Sequence, residues 1–256
     1  MAAIVTTWAA IAAPATAVGA ECTAASGRQR VAVLELYTSE GCNSCPPADK
    51  WVSELPAKRL ASDRVIPLAF HVDYWNQLGW TDPYSQAAFS TRQHQHSKRR
   101  GVSFVVTPQL LLNGQDYRRG AWFDDFADKI KTINASPAQA DIRLKLNRSG
   151  STLVSAVAIN VPGDATQRRA EVFFALYENN LTSAVAAGEN KGKTLRHDFV
   201  IHALAGPFAL DDNGNLNRVQ RFELDRRWKP QDVNLAVFVQ HPLSGDVLQA
   251  LSARCD

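Results

Sequence analysis

One short run limits what this chain can fold into more than any other. Residues 31–38, VAVLELYT, are nearly continuous apolar sequence of the length of a buried strand. Gly41-Cys42-Asn43-Ser44-Cys45-Pro46-Pro47 interrupts it within three residues. Proline suits the first turn of a helix, where its missing N–H has no partner to lose, so the pair predicts a helix through about Ala57. A buried strand feeding a helix through two cysteines three apart calls for a sheet with helices packed on its faces.

The pattern continues for a hundred residues. Residues 65–73, VIPLAFHVD, read as a second buried strand. Asp82 then caps a predicted helix with Pro83 as its first residue, running to about Lys98 and stopped by Gly101. Pro108 precedes the strand QLLL, Asn113-Gly114 is a strong hairpin signal, and DYRR returns as a short edge strand. Trp122, Phe123, Phe126, Ile130 and Ile133 then share one helix face. The resulting order over 31–135, β-α-β-α-β-β-α, is the element order of thioredoxin, and Ser136-Pro137 marks its end.

After residue 140 the period changes. Ile142, Leu144 and Leu146 alternate with polar residues, and Val233, Leu235, Val237 and Val239 fall two apart. Period two marks strands with one buried face. About seven such strands, separated by Gly, Asn, Asp and Pro turns, predict an antiparallel β-sandwich. The expected class is therefore α+β: a thioredoxin-like α/β domain at 21–137 followed by a β-rich, sandwich-like domain at 138–256. No internal repeat is present.

Residues 1–20, MAAIVTTWAAIAAPATAVGA, read as a signal peptide cleaved before Glu21, with small residues at Val18-Gly19-Ala20. The absence of Lys and Arg from its start departs from that pattern. Export would place the protein in the periplasm or outside the cell. The 256-residue chain carries a net charge of +3, too little to argue for a nucleic-acid partner, which needs a concentrated basic face. Pairs such as Arg99-Arg100, Arg168-Arg169 and Arg226-Arg227 are scattered and read as solvated surface. The chain contains no run of about 20 apolar residues, so no stable membrane insertion is expected.

Four cysteines remain to be assigned. Cys22 and Cys255 sit at the two ends of the mature chain, and chain termini are often close in space. In an oxidising compartment they are the natural structural bridge, contributing about 4–5 kcal/mol in the chain-entropy model. Cys42 and Cys45, three apart at a strand-to-helix turn, can close a small disulfide. The helix start favours a thiolate, so Cys42 is the candidate nucleophile and Cys45 the resolving thiol. A C-x-x-C pair also binds metal, but structural zinc needs two further ligands. The only nearby histidine pair, His94-x-His96, looks like an exposed helix face, and a site at His71 and Asp73 would need further ligands, so no metal site is assigned. Copper carriage lacks support from methionine, since Met1 is the sole one. A purely structural bridge is the remaining alternative. No cofactor is required beyond the cysteines.

Other residues join the candidate site. Thr107-Pro108 occupies the slot where thioredoxin-like folds place a cis proline opposite the C-x-x-C. The backbone before that proline is free to pair with an extended substrate. Glu35 shares a strand face with Val31 and Val33, where burial would raise its pKa and let it carry a proton for the resolving thiol; Glu40 is the weaker alternative. His71, Asp73, Tyr74 and Trp75 follow the second strand and suit a substrate groove at the carboxyl end of a sheet. The loop at residues 188–198 ends in G-K-T-L-R-H-D but is one residue short of a phosphate loop and lies in an all-β frame.

The runs LELYTSEGCNSCPPAD at 34–49, HVDYWNQLGWTDP at 71–83, Thr107-Pro108-Gln109 and GENKGKTLRH at 188–197 together resemble a secreted bacterial thioredoxin-like family catalogued as domain of unknown function twelve-twenty-three. The resemblance spans nearly the whole mature chain. It implies a thioredoxin-like domain, a β-rich C-terminal domain and export, and it carries the family's cysteines onto Cys42 and Cys45 and its proline onto Pro108. It implies no settled activity. The function expected from the residues is thiol–disulfide exchange with protein or small-molecule disulfides and thiols, served by a redox partner the sequence does not identify. The alternatives are a binding or redox-sensing module with a structural C-x-x-C bridge, and copper or zinc binding through that pair.

Overall fold

The computed structural model describes residues 20–117 and 125–255. The signal segment before Ala20, the end of DYRR, and Trp122 and Phe123 lie outside them. In chain order the elements are β1 (Ala20–Ala25), β2 (Ala32–Thr38), α1 (Pro46–Ser53), β3 (Val65–His71), α2 (Ala87–Arg99), β4 (Gln109–Leu112), β5 (Gln115–Asp116) and α3 (Phe126–Ala135). There follow β6 (Asp141–Ser149), β7 (Thr152–Asn160), β8 (Glu171–Glu178), β9 (Leu181–Ala184), β10 (Thr194–His197), β11 (Val200–Ala209), β12 (Asn215–Glu223), β13 (Val233–Gln240) and β14 (Val247–Ala253). This is a mixed α+β fold made mostly of strands. Nine strands follow residue 140 where alternation predicts about seven, because the four-residue β9 and β10 are too short for a period to show.

Eight strands form one sheet in the order β14-β13-β8-β11-β3-β2-β4-β5. β2 and β3 run parallel, and β4 and β5 pair antiparallel beside β2. Strands from after residue 140 extend the same sheet. β11 pairs parallel to β3 at Val200 and Ala69, and β8, β13 and β14 continue antiparallel. The expected boundary at 137/138 thus falls inside a molecule whose two halves share a sheet. A four-stranded antiparallel sheet, β1-β6-β7-β12, lies over the C-terminal half of the large one.

Two cores result. One gathers Leu34, Leu36, Phe70, Phe89, Leu110 and Ile130 with Phe173 and Phe238. The other lies between the sheets, where Ile142, Leu144 and Leu146 meet Val172, Phe174, Leu176, Leu235 and Val237. Alternate residues of β8 enter different cores, which is why its sequence, VFFALY, is apolar without a break. The Asn113-Gly114 turn has positive φ at both residues, 48° and 74°, as a two-residue hairpin requires. A Cβ on Gly114 would lie 2.0 Å from the Gly245 carbonyl oxygen, so no larger residue fits. The Cys22–Cys255 disulfide forms and ties β1 to the end of the chain.

α2 departs from expectation in two ways. α2 begins at Ala87 rather than Pro83, because Asp82 caps a tight turn instead of the helix: its Oδ1 accepts from Tyr84 N at 2.9 Å, and Ser85 N bonds to the Asp82 carbonyl. His96, read as exposed, is buried, while His94 is exposed. The buried face of α2 is polar, with Arg92, Gln93 and His96 beside Phe89, so hydrophobic periodicity misses it.

Candidate functional site

β2 and β3 are parallel neighbours, so the loops that follow them emerge at the same edge of the sheet. The loop after β2 carries Cys42 and Cys45, which are disulfide-bonded. Cys45, not Cys42, is the N-cap residue of α1, and Pro46 and Pro47 follow it. Cys42 lies in the turn before, closed by Cys45 N donating to the Cys42 carbonyl at 3.2 Å. The prolines remove two N–H groups, and Ala48 N and Asp49 N both bond to the Cys45 carbonyl. Ser44 Oγ, 3.3 Å from Cys42 Sγ, is therefore the hydroxyl placed to serve a thiolate there. The Thr107 carbonyl oxygen stands 3.8 Å from Cys42 Sγ, and the Thr107–Pro108 peptide is cis.

The loop after β3 supplies Trp75, whose Nε1 donates to Thr107 Oγ1 at 2.6 Å. Trp75 is half-buried and so is Tyr74, whose OH donates to Gln93 Oε1 of α2 at 3.1 Å. Gly41 packs against Trp75, where a Cβ would sit 3.2 Å from the Trp75 Cβ. Asp73 turns instead toward the start of α2, its backbone N donating to Ser90 Oγ. His71 is fully buried on Asp82, so of the four expected groove residues Trp75 is the one bonded to Thr107, next to the cysteine pair.

A third segment, residues 188–197, closes over the cysteine loop. Asn190 is buried, and both its amide hydrogens are used, on the carbonyls of Glu40 at 2.8 Å and Cys42 at 2.9 Å. Lys193 Nζ donates to Asn190 Oδ1, and Asn43 N donates to Glu189 Oε2 at 3.0 Å. Under this cover Cys42 and Cys45 are each 0% exposed.

Beneath the disulfide lies a cluster of buried titratable side chains. His71 Nδ1 and Asp82 Oδ2 are 2.7 Å apart, and Asp82 Oδ2 also accepts from Glu40 N at 2.8 Å. Burial works against charge on both partners, but their mutual attraction outweighs it: the His71 pKa is held above 6.5 and that of Asp82 below 3.8. Glu40 takes His197 Nε2 at 3.1 Å on one oxygen and Trp80 Nε1 at 2.8 Å on the other. Asp49, on α1 one turn beyond Cys45, accepts from Thr38 Oγ1, and burial pushes its carboxyl up.

Glu35 does not play the part expected of it. Arg92 donates to both its oxygens, at 2.9 and 2.8 Å; Tyr37 OH donates to Oε2 at 2.6 Å, and His96 Nε2 lies 3.5 Å away. Burial would raise its pKa, but Arg92 and His96 more than offset that and hold it well below the ordinary glutamate range. A carboxylate so firmly paired is a structural anion rather than a proton carrier.

Sequence reasoning missed Asp49, Asp82, Asn190 and His197. All four lie within the runs that carried the family resemblance, which is the signal that marked them. With this geometry in place, comparison agrees on the family. The chain belongs to the family described as "Protein of unknown function (DUF1223)", whose profile matches residues 33–240. No curated protein matches the chain. Among solved structures, it is similar to a protein of Agrobacterium tumefaciens determined by X-ray crystallography, with 24% identity, a TM-score of 0.63, and 90% of this chain and 97% of that one covered. It is also similar to HBP35 of Porphyromonas gingivalis, at 16% identity and a TM-score of 0.67, covering 90% of this chain and 77% of that one. At these identities both show the fold alone. Two disulfides are compatible with a secreted protein, and no helix among the described residues is long and apolar enough to cross a membrane.

Proposed function

We propose that the Cys42–Cys45 pair is a redox-active disulfide exchanging with protein or small-molecule thiols and disulfides in the bacterial periplasm or outside the cell. The observation that carries this is the approach of the Thr107 carbonyl to Cys42 Sγ at the edge where β2 and β3 end. Support comes also from the order β3-β2-β4-β5 with β2 and β3 parallel, which suits a thioredoxin-like unit within residues 21–137. Residues 138–256 then form the β-rich partner unit, and residues 1–20 an export signal. Next to Thr107 in sequence, Phe104 and Val106 are exposed apolar side chains able to hold a substrate segment.

In the reducing direction, the Cys42 thiolate attacks a substrate disulfide, forming a mixed disulfide and releasing one substrate thiolate. Cys45 thiolate then attacks Cys42 Sγ, releasing the second substrate thiolate and closing Cys42–Cys45. Two electrons pass to the substrate, and a partner dithiol restores the pair. The oxidising direction runs the same steps backward, with a partner disulfide. Thr107 positions the substrate, Trp75 holds Thr107, and Ser44 serves the thiolate.

A second reading has a specific observation in its favour. The disulfide is covered, with Asn190 clamped across the Cys42 carbonyl, as suits a structural staple. The reduction potential separates the two, measured in glutathione buffers by thiol trapping and mass spectrometry. A reversible couple between about −120 and −270 mV, with exchange lost in Cys42→Ser, is expected. A potential below about −300 mV assigns the pair to structure.

A further inference from the structure

Asp49, on α1, His71, at the end of β3, and His197, at the end of β10, meet in the interior 148 residues apart in sequence at their extremes. One potential ligand atom from each lies within 4.8 Å of the other two, and all three side chains are buried. Two atoms there are orphaned. His71 Nε2 and His197 Nδ1 have no hydrogen-bond partner among the described residues, although each is buried. Buried nitrogens are almost always satisfied, so two in one cluster call for a missing partner.

The outer faces of both rings explain which partner fits. His71 gives Nδ1 to Asp82, and His197 gives Nε2 to Glu40. With those hydrogens on the carboxylate side, each ring turns a lone pair inward, toward the Asp49 carboxylate. In the neutral form of both rings, two unpartnered nitrogens and the Asp49 carboxylate are offered to one cation, among three buried carboxyl groups. A carboxylate fixing the far nitrogen of a histidine is the usual support of a metal-bound imidazole.

We propose that Asp49, His71 and His197 bind one divalent transition-metal ion of the zinc class. Imidazole and carboxylate ligands suit such ions. Ligand atoms at about 2.0–2.2 Å from a tetrahedral ion stand roughly 3.4 Å from one another. The candidate atoms, all within 4.8 Å of one another, already lie near that spacing. Three protein ligands leave a fourth position. Asp49 and His197 also line a cleft of about 410 Å³ between α1 and β10, which gives solvent or a small ligand a route to it. This site uses neither cysteine and stands whether or not the disulfide is redox-active.

The test uses the mature protein with both disulfides intact, stripped by chelator and titrated with Zn²⁺ alone against a chromophoric chelator. One equivalent is expected, raising the thermal midpoint. Co²⁺ in its place should give d–d bands without a sulfur charge-transfer band. His197→Gln and Asp49→Asn should weaken binding more than about 100-fold, and Glu40→Gln, which only loosens the His197 ring, about 10–100-fold. Cys42→Ser/Cys45→Ser should bind as the parent does. No zinc retained by the folded parent, a sulfur band with Co²⁺, unchanged affinity in whichever of these ligand-side variants folds, or loss of binding in the cysteine variant overturns the site. A failed redox titration leaves it standing, and a failed metal titration leaves the dithiol reading standing.

Discussion

Ser44 illustrates how much one residue is asked to do. A thiolate before a helix usually draws on free N–H groups of the first turn. Here Pro46 and Pro47 have none, and the next two N–H groups bond to the Cys45 carbonyl. The Ser44 hydroxyl, 3.3 Å from Cys42 Sγ, is left as a local donor to a charged sulfur. A hydrogen bond to the charged form lowers a pKa, and one of about 1 kcal/mol corresponds to about 0.7 of a pKa unit. Ser44→Ala should therefore raise the Cys42 thiol pKa by about that amount. The pH dependence of alkylation of the reduced protein checks it; an unchanged curve would mean the thiolate is served elsewhere.

At the scale of elements, α2 binds the molecule through charge rather than grease. Arg92 is 5% exposed, with its guanidinium carbon 4.8 Å from the Phe173 ring centroid, and it donates to Glu35 of β2 and Gln240 of β13. Removing one partner of such a pair strands the other charge, a loss of about 3–5 kcal/mol. Arg92→Met should show that loss in chemical denaturation, and Glu35→Gln in the Arg92→Met background should cost much less than it does alone. The same pair sets an acid dependence. Glu35 in the folded protein titrates well below its ordinary 4.5, and His96 below its ordinary 6.5. The unfolded chain takes up both protons more readily, so stability falls as pH falls. The loss begins below about 6.5 through His96 and deepens below about 4.5 through Glu35. His71, held above 6.5, works the other way near neutrality, so the His96 branch is read as the difference in urea midpoint between the parent and His96→Gln, and the lower branch should flatten in Glu35→Gln.

For the whole molecule, the distinctive fact is a sheet built from both halves of the chain. β8 and β13 bury one face in each core, so the cores share strands as well as neighbours. The Cys22–Cys255 bridge closes the assembly over 233 residues of sequence. Losing a cross-link of this kind costs about 2–5 kcal/mol, mostly by freeing the unfolded chain. Cys22→Ser/Cys255→Ser should unfold at correspondingly lower denaturant. The Cys42–Cys45 potential should be unmoved, since Cys22 and Cys255 belong to the core between the sheets and the other pair does not. A matching shift in that potential would show that the bridges are coupled.

How far all this could be read from the sequence depends on distance along the chain. The strand, the C-x-x-C turn, the proline-led helix and the Asn113-Gly114 hairpin were legible because each follows from φ preferences and hydrogen-bonding capacity within a few residues. Period two was legible in β6 because only one of its faces meets an apolar core; in β13 both faces are buried, and the valines and leucine that face one core kept the period visible. The family runs marked Asn190 and His197 without saying what they touch. Tertiary structure alone decided the rest. Arg92 reads as solvated helix surface until β2 supplies Glu35, 57 residues away. Asn190 reads as loop until it spans the Glu40 and Cys42 carbonyls. Asp49, His71 and His197 become one cluster only when α1, β3 and β10 converge. Polar groups enter the interior in matched sets, and the match is made in space between residues whose order along the chain carries no trace of it.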